Sequence, residues 1–487
     1  QLVRWLKLGF KPGKYVITAA QYNTPVNGRF LRSLQGYCDY NSAELLVMPM
    51  NIQRGLIPPS VNRELNVMVK KYDARLPPGR ERKLNDSIRL KAWPINPQQI
   101  RPTTGLARLT QMDSSTIVGS PKQFMDVVAN SNHNLPKVLL TTGAVTIPWY
   151  KDNRVGMIAR DDHVYGAIVV DVKDDQSYQF RHLSALSNGK FHDLGVFYDG
   201  NRVVGVGDEI KEGLVNRPEA IVFGDIHVGD TDPVVWAENL RMLELYKPER
   251  VVLHDFFNGH SVNHHEKGRI ANLAKNHRMH GLNLEKELRL CYNQLEELVM
   301  AAPESEIVMV PSNHNEFLDR YLQESRYRDD PQNALLSDFL AADLKYGRNP
   351  FKEGMKRVMA SDSLSRINGH PDFESKIEMP ENVLFLERDE DYKVRGWQLG
   401  SHGDKGPNGA RAFSPPARER SYGKSVTAHS HSPRLFRNTY IVGTSTRLDL
   451  DYAVGPSSWM HTHAMLYVYG RKEAKVQLVN VMNGSHM

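Results

Sequence analysis

The chain is poor in cysteine and contains no long apolar run. Its 487 residues include only two cysteines, Cys38 and Cys291, and no eighteen consecutive apolar residues. Both cysteines lie within helical patterns, which predicts buried free thiols in a reducing compartment and not the disulfide framework of a small secreted protein. The missing apolar run predicts a protein without a membrane span. Together these absences favour a cytoplasmic location.

Several other signals are also missing. The first half of the chain has no glycine-rich nucleotide-binding motif, no P-loop and no internal repeat. The first eight residues are too short, and too basic within their apolar part, for a signal peptide. The last four residues, Gly484 to Met487, are typical of a cloning remnant. The N-terminal half is therefore expected to support the fold, recognise substrate or assemble subunits, and a homo-oligomer is one of these alternatives.

The composition is that of a globular protein with a mild basic excess. Hydrophobic residues make up 40% of the chain, and 62 Lys and Arg against 56 Asp and Glu give a formal charge of +6. The length allows two or more domains. A basic excess favours a polyanionic partner if the cations cluster on one face, whereas spread evenly they form an ordinary solvated surface. The position of the cations has to decide between the two.

The N-terminal segment reads as an α/β unit. A strand at 15–18, a helix from about Phe30 to Tyr40 and a strand at 44–49 form a βαβ-like start. Glycines and Pro218 interrupt the pattern between Asn201 and Pro218, which predicts an accessory α/β domain over residues 1–215 and a second domain over 216–483. Further strands are expected at 115–118, 137–140, 165–170 and 195–198, with a helix from about Lys122 to Val128.

Five segments of the second half each end in Asp, Asn or His after a strand-like or glycine-rich run. In the first, Asp225 and His227 follow an apolar run and share one side of the backbone, because side chains of a strand alternate. Converging carboxylate and imidazole groups at one sheet edge are typical of a metal site. The five segments present Asp225 and His227; His254 and Asp255; Asn313 and His314; His402; and His429 and His431.

This ordered set resembles the calcineurin-like metallophosphoesterases, whose blocks run D-x-H, G-D, G-N-H-[ED], H and G-H-x-H. The resemblance covers roughly Ala220 to Gly443. His254, Ser312 and Ala428 stand where the family has glycine, and Asn315 stands where it has an acidic residue, but no ligand position is lost. A second H-x-H, His461 and His463, leads into a strand and is not expected to hold a metal.

The resemblance implies a fold, a cofactor and a reaction. The fold would be a four-layer α/β/β/α sandwich of two facing mixed sheets, preceded by the separate N-terminal α/β domain. The reaction would be hydrolysis of a phosphate ester with a hydroxide bridging two divalent metals as nucleophile and His314 as general acid. Manganese is favoured, with magnesium, iron and zinc as alternatives. One metal would be held by Asp225, His227 and His431, the other by Asn313, His402 and His429, with Asp255 bridging both.

The expected substrate is DNA. Basic residues crowd two insertions near the ligand segments, one including His264, Lys267 and Arg269 and the other running from Lys405 to Arg411. Cations beside a phosphate-cleaving centre favour a clamp on a phosphodiester backbone, although each insertion could instead be a solvated surface. The double-strand-break-repair exonucleases belong to this family, and the layout is similar to that of early host-DNA-degrading nucleases of tailed bacteriophages, which would act in the host cytoplasm. A phosphomonoesterase or a small cyclic-nucleotide phosphodiesterase is the alternative.

Overall fold

The computed structural model describes residues 13–58, 60–76, 80–110, 114–131, 137–206, 208, 216–266, 271, 273–274, 277–278, 281–363, 366–367, 370–411, 413–450, 454–470 and 473–487. Lys267 and Arg269, two of the predicted substrate-binding residues, lie outside this range. Among the described helices, none combines the length and apolar character needed to cross a bilayer. Cys38 and Cys291 are both buried free thiols, as expected.

The N-terminal segment is rich in strands. Its helices are α1 (Gly28–Asn41), α2 (Val67–Lys70) and α3 (Arg154–Asp161). Its strands are β1 (Gly13–Gln21), β2 (Ala43–Met50), β3 (Glu81–Lys83), β4 (Ile88–Lys91), β5 (Ser115–Val118), β6 (Phe124–Val127), β7 (Val138–Thr141), β8 (Gly166–Val172), β9 (Tyr178–Ser184), β10 (Phe191–Asp193), β11 (Val196–Asp199) and β12 (Arg202–Val204).

The C-terminal segment alternates strands and helices before ending in strands. Its helices are α4 (Pro233–Tyr246), α5 (Leu284–Ala301), α6 (Asn313–Gln323), α7 (Ala334–Lys345), α8 (Pro350–Ser363) and α9 (Pro415–Tyr422). Its strands are β13 (Ala220–Val222), β14 (Arg250–Leu253), β15 (Glu306–Met309), β16 (Arg366–Ile367), β17 (His370–Pro371), β18 (Val383–Phe385), β19 (Lys393–Val394), β20 (Trp397–Gln398), β21 (Ser425–Thr427), β22 (Arg434–Phe436), β23 (Thr439–Ile441), β24 (Thr462–Tyr469) and β25 (Glu473–Asn480).

A six-stranded sheet carries the first three ligand segments. Its order is β18-β15-β14-β13-β24-β25, with β13, β14, β15 and β18 parallel, β24 antiparallel to β13, and β25 antiparallel to β24. Ile221 packs among buried side chains of α4 to α8, whereas its neighbour Val222 faces a core shared with strands of other sheets. This alternation is the period of two expected of a strand. The sheet therefore has helices on one face and β-structure on the other.

A ten-stranded sheet combines strands from both halves of the chain. Its order is β19-β20-β21-β23-β22-β6-β7-β5-β4-β3. The junction is the antiparallel pairing of β22 with β6, in which Leu435 lies opposite Met125 and Phe436 opposite Phe124. The predicted division at residue 215 thus does not separate two sheets. The physical reason is that the strand-like runs of the N-terminal segment complete a sheet whose other strands come after residue 390.

A four-stranded sheet of order β2-β1-β8-β9 packs beside them and is joined to β25 through buried polar contacts. Arg181 on β9 contacts Asp193 on β10 at 2.5 Å through its Nε, and Gln477 on β25 donates a 2.8 Å hydrogen bond to the same carboxylate. Tyr37 on α1 donates another, at 2.8 Å. The N-terminal segment is therefore held to the C-terminal strands by the hydrogen bond from Gln477 to this buried ion pair as well as by the shared sheet.

The predicted helix from Lys122 to Val128 is wrong. Residues Phe124–Val127 form β6, which pairs with β7 on one side and β22 on the other. Pairing on both edges satisfies the backbone of this short run, and this tertiary environment overrides its helical pattern. By contrast, the expected strands at 15–18, 44–49, 115–118, 137–140, 165–170 and 195–198, and the helix from about Phe30 to Tyr40, are confirmed within a few residues.

Candidate metal centre

The five ligand segments meet at the carboxyl edge of the parallel strands. Asp225 follows β13, Asp255 follows β14, and Asn313 opens α6 after β15. His402 precedes β21, and its carbonyl oxygen accepts a 2.8 Å hydrogen bond from the N–H of Ala428. His429 and His431 follow β21. Parallel strands end at one edge, so residues far apart in sequence come together there.

Asp225 is fixed by backbone contacts on both sides. Its N–H donates to the carbonyl of Gly443 at 3.1 Å, and its carbonyl accepts from the N–H of Ser445 at 2.8 Å. The preceding Gly224 has no room for a side chain, since a Cβ there would lie 2.7 Å from backbone atoms of Gly443 and Thr444. This close approach places the carboxylate of Asp225, which is fully buried, at the centre of the cluster.

Two groups of metal-ligating side chains share one carboxylate. Asp225, His227, Asp255 and His431 offer ligand atoms that all lie within 4.8 Å of one another, and so do Asp255, His402 and His429. Asp255 belongs to both groups. Every member is buried except His429, which is partly exposed. These residues could hold a metal ion.

Distances within the first group are those of side chains facing a common point. The Nε2 atoms of His227 and His431 are 3.0 Å apart, and Asp255 Oδ2 is 3.4 Å from His227 Nε2. Asp225 Oδ2 lies 3.3 Å from His431 Nε2. Two nitrogen ligands about 2.1 Å from one ion and at right angles to it would lie roughly 3.0 Å apart, so the observed spacing fits a metal ion.

The second group shares Asp255 with the first. His402 Nε2 lies 3.1 Å from Asp255 Oδ2, and the rings of His402 and His429 are 5.1 Å apart. Asn313 Oδ1 is buried and has no hydrogen-bond partner among the described residues, as is true of Oδ1 of Asp225 and of Asp255. Buried oxygens normally have partners, and a cation would satisfy these three. The donor set therefore suits a metal.

Four residues of the two groups have left-handed backbone conformations. The φ angles are +47° for His227, +45° for Asp255, +76° for His429 and +55° for His431. A non-glycine residue in this region costs about 1–3 kcal/mol and persists only where the surrounding structure enforces it. Such strain is concentrated at functional sites, and here it turns the four side chains toward one another.

The two buried carboxylates have opposite pKa shifts. Burial and the charge of Asp255 raise the pKa of Asp225 well above its ordinary value. Burial would also raise the pKa of Asp255, but the histidines around it, His402 first, outweigh that effect and hold its pKa well below the ordinary value. Asp255 is thus readily ionised, whereas Asp225 resists becoming a second negative charge beside it. A bound cation would remove that resistance.

The histidines are mostly kept neutral. Burial lowers the pKa of His227 to about 3 and that of His429 to about 4, and it lowers the pKa of His431 well below the ordinary value. Burial would also lower the pKa of His402, but the charge of Asp255 outweighs it and its pKa is raised. Neutral imidazole is the form that binds metal. Three of the four histidines are therefore ready to act as ligands near pH 7.

His314 lies beside the first group but does not belong to it. Its ring is 4.6 Å from that of His227, and its Nδ1 lies 2.5 Å from the carbonyl oxygen of Asn258. A carbonyl can only accept, so Nδ1 carries the proton of this hydrogen bond. The side chain of Asn258 in turn donates to Asp230 Oδ2 at 2.8 Å. His314 is thus oriented with its other nitrogen, Nε2, directed away from this anchor.

Sequence reasoning missed the groups that hold His314 and did not place His254 beside His402. Asp230 also lies 2.8 Å from His260 Nε2, and Asp230 and Asn258 belong to no motif that would have marked them. His254 is fully buried with its ring 5.7 Å from that of His402. The expectation that His461 and His463 are not ligands is consistent with the structure: Nδ1 of His463 accepts from the N–H of Gly224 at 3.0 Å, and His461 Nε2 contacts the carbonyl of Thr446 at 2.8 Å.

An open cleft of about 750 Å³ adjoins the centre and contains the three predicted substrate-binding residues that are described. Asn313 and His429 connect the cleft to the ligand groups. Lys405 is paired with Glu316 across the cleft, and Arg320 with Glu324 at 2.6 Å. The lining is therefore of mixed charge. It includes His264, His265, Asn313, Glu316, Phe317, Asp319, Arg320, Gln323, Glu324, Asp404, Lys405, Gly409, Arg411 and His429.

One similar protein supports a viral relationship. The chain is 27% identical to Protein A1 of Escherichia phage T5 over 97% of its own length and 83% of that protein. No protein-family model matches the chain. The similarity extends through both halves and is compatible with a bacteriophage origin.

Proposed function

We propose that the chain is a metal-dependent nuclease that hydrolyses phosphodiester bonds of DNA. The observation that carries the proposal is the carboxylate of Asp255, which belongs to two separate groups of buried ligands. A shared carboxylate between two ligand groups is the arrangement expected of a two-metal hydrolase. Resemblance to the calcineurin-like metallophosphoesterases, including their four-layer sandwich, supports the same reaction.

The residues of the centre have distinct tasks in this proposal. Two divalent cations, manganese by preference, would polarise the phosphoryl oxygens and lower the pKa of a water molecule. Asp225, His227 and His431 would hold one cation, Asn313, His402 and His429 the other, and Asp255 both. His314 is fixed through Nδ1 by Asn258, so a protonated Nε2 is the atom that would deliver a proton to the leaving oxygen.

The nature of the cleft bears on the substrate. Lys405, Arg411 and His264 line it, as a clamp on a polynucleotide backbone requires. Four carboxylates also line it, and burial with the charges of Glu316 and Glu387 raises the pKa of one of them, Asp319, to about 6. Carboxylates disfavour a long polyanion, and this observation favours the second candidate, a phosphomonoesterase or small cyclic-nucleotide phosphodiesterase. Similarity to a phage protein is compatible with the host cytoplasm as the setting.

A cleavage assay separates the two candidates. Purified protein is incubated with closed circular, linear double-stranded and single-stranded DNA, with Mn²⁺, with Mg²⁺ and with chelator, beside a small chromogenic phosphodiester. The proposal expects metal-dependent loss of DNA that weakens steeply with salt, because basic contacts with phosphates release counterions. Turnover of the small ester with every DNA intact would instead establish the second candidate.

The assay needs a variant control against a contaminating nuclease. Asp255→Asn should abolish the activity, whereas Asp338→Asn, which changes an exposed carboxylate on α7, should retain it. Equal activity of the Asp255→Asn variant and the unaltered protein would show that the activity does not arise from this centre.

A further inference from the structure

A row of aromatic rings leads from the metal centre into the cleft. The ring of His314 is 4.6 Å from that of the ligand His227 and 4.7 Å from that of Phe317. Phe317 in turn contacts His264 and His265, with ring centroids 5.4 Å and 5.7 Å away. The last two rings lie only 3.9 Å apart. The row thus ends in a pair of imidazoles at the outer part of the cleft wall.

The segment that carries the imidazole pair is held firmly on both sides. Glu287 on α5 accepts hydrogen bonds from the N–H groups of His260 and Ser261, at 2.9 Å and 3.2 Å. Arg326 donates a 3.1 Å hydrogen bond to the carbonyl of Val262, whose side chain is buried. These anchors fix the position of the short helical turn that begins at His264. The imidazole pair is therefore positioned before any ligand arrives.

A glycine lets this segment pack against Phe317. Gly259 has a φ of +75°, and a Cβ there would lie 3.3 Å from a ring carbon of Phe317. A larger residue would be strained in this backbone conformation and crowded by the ring. The sequence therefore permits the turn to close over Phe317 and leaves the imidazoles as the outward surface.

The exposed end of the row faces the cleft. His265 is exposed and His264 partly so, whereas Phe317 is buried beneath them. Burial and the neighbouring His265 lower the pKa of His264, so its ring is neutral near pH 7. Arg411, also exposed, lines the same cleft. Proteins that bind single-stranded nucleic acids combine flat rings, on which bases stack, with cations that contact the phosphates.

We infer that the His264–His265 pair, supported by Phe317, is a stacking platform for the base of an unpaired nucleotide whose phosphate lies at the metal centre. This inference rests on the proposed nuclease function and specifies its substrate as DNA with unpaired bases. A base inside a duplex is already stacked on both faces and cannot present one to a protein side chain. The platform therefore selects single strands, ends or flaps.

The size of the cleft agrees with this occupant. Its volume of about 750 Å³ lies in the range of roughly 300–1,000 Å³ that small-molecule sites occupy, which is enough for one or two nucleotides. The imidazole pair and the cations line the same cleft as Asn313 and His429, the two proposed metal ligands that it reaches. A strand passing through it would meet the platform beside the scissile phosphate.

The test compares strands that differ only in their bases. The substrates are a labelled single-stranded oligonucleotide, the same oligonucleotide with tetrahydrofuran in place of its bases, and the corresponding duplex, all with Mn²⁺. The unaltered protein should cleave the intact single strand about 5- to 150-fold more efficiently than the abasic strand, the range expected for stacking of one base. It should also prefer the single strand to the duplex.

Variants locate the effect on the platform. His265→Ala removes an exposed ring and should bring the ratio of intact to abasic cleavage toward one, and Phe317→Leu, which removes the support, should act in the same direction. His277→Ala removes another exposed histidine, one that is not among the described residues lining the cleft, and should keep the ratio of the unaltered protein.

The outcomes distinguish this inference from the proposed function. Metal-dependent cleavage with equal rates on intact and abasic strands would overturn the stacking platform alone, as would a ratio in His265→Ala equal to that of the unaltered protein. Failure to cleave any phosphodiester with Mn²⁺ or Mg²⁺ would overturn the proposed function and the platform with it.

Discussion

The backbone N–H of His429 donates a 2.9 Å hydrogen bond to Asp225 Oδ2, across 204 positions of the chain. This bond joins the last ligand segment to the first without any metal. The backbone of Asp225 is itself fixed by Gly443 and Ser445 on the neighbouring β-structure. The ligand positions are therefore set by the folded sheets, and a cation would enter a site that is already arranged.

Replacing the shared carboxylate should remove metal and leave the fold. In Asp255→Asn the amide keeps the size of the side chain but loses the negative charge that both ligand groups use. We expect the metal content after dialysis against Mn²⁺, measured by inductively coupled plasma mass spectrometry, to fall by at least half, with an unaltered circular dichroism spectrum. Asp338→Asn provides the matched control. A fully metallated and active Asp255→Asn protein would contradict the bridging role.

Replacing His314 should separate catalysis from metal binding. His314 lies outside both ligand groups, and its Nδ1 is engaged by the carbonyl of Asn258. Loss of a general acid typically lowers turnover about 10²- to 10⁴-fold. We expect His314→Ala to retain its metal and to lose turnover in that range on a substrate with a poor leaving group. A substrate whose leaving group needs no proton should restore most of the rate. Unaffected turnover of His314→Ala on both substrates would exclude His314 as the general acid.

Asp230 should act on catalysis through His314. Its Oδ2 accepts from Asn258 Nδ2 at 2.8 Å, and Asn258 in turn holds His314. In Asp230→Asn the new amide N–H₂ group can face the N–H₂ group of Asn258. Two donors cannot form a hydrogen bond, so Asn258 would lose its anchor. We expect kcat to fall about 10- to 100-fold, the effect usual for residues behind a catalytic group, with KM and metal content nearly constant.

A double variant distinguishes positioning from general destabilisation. If Asp230 acts through His314, then Asp230→Asn should have little further effect in the His314→Ala background, because the group it positions is already absent. Independent losses that multiply in the double variant would show that Asp230 acts by another route.

The candidate site was predictable because its potential metal ligands lie just after the ends of strands. Asp225, Asp255 and Asn313 each lie within four residues of the end of a buried strand, and the structure brings all three to one edge. Local sequence is sufficient for this inference, since parallel strands must end together. Asp230 and Asn258 were not predictable, because a single carboxylate and a single amide in loops carry no pattern until the fold brings them within hydrogen-bond distance.

The order of strands in the ten-stranded sheet could not be predicted from the sequence for a related reason. The run at 124–127 has few residues and its partner Leu435–Phe436 lies about three hundred positions away. No local pattern specifies such a pairing, and the same apolar residues suit a helix face or a strand. The expected separate N-terminal domain followed from a change in composition near residue 201, which marks a loop but not the end of a sheet.

The Asp193 carboxylate should be essential for stability. Arg181 contacts it through two nitrogens, and Tyr37 and Gln477 donate further hydrogen bonds, so it joins α1, β9, β10 and β25. Breaking a buried ion pair by removing one charge costs about 3–5 kcal/mol. We expect a loss of this size in the free energy of unfolding of Asp193→Asn, measured by urea denaturation.

A surface pair provides the comparison. Asp199 contacts Lys190 at 3.1 Å in a partly exposed position, and such pairs contribute about 0–1 kcal/mol. Asp199→Asn should therefore be nearly as stable as the unaltered protein.

Since strands of both halves share a sheet, the unaltered protein and the Asp199→Asn variant should each unfold in one transition. Two well-separated transitions would show that the N-terminal segment folds independently.

The contribution of Asp193 should disappear in acid. Burial would raise the pKa of Asp193, but Arg181 outweighs it and holds the pKa below the ordinary value. A depressed folded pKa means that the folded state binds the proton less readily, so the stabilisation is complete above the unfolded pKa of about 3.9 and is lost as pH falls through the folded pKa. The stability difference between the unaltered protein and Asp193→Asn should be constant from pH 7 to about pH 5 and shrink below about pH 4. A difference that shrinks between pH 7 and 6 would place a different titrating group at this position.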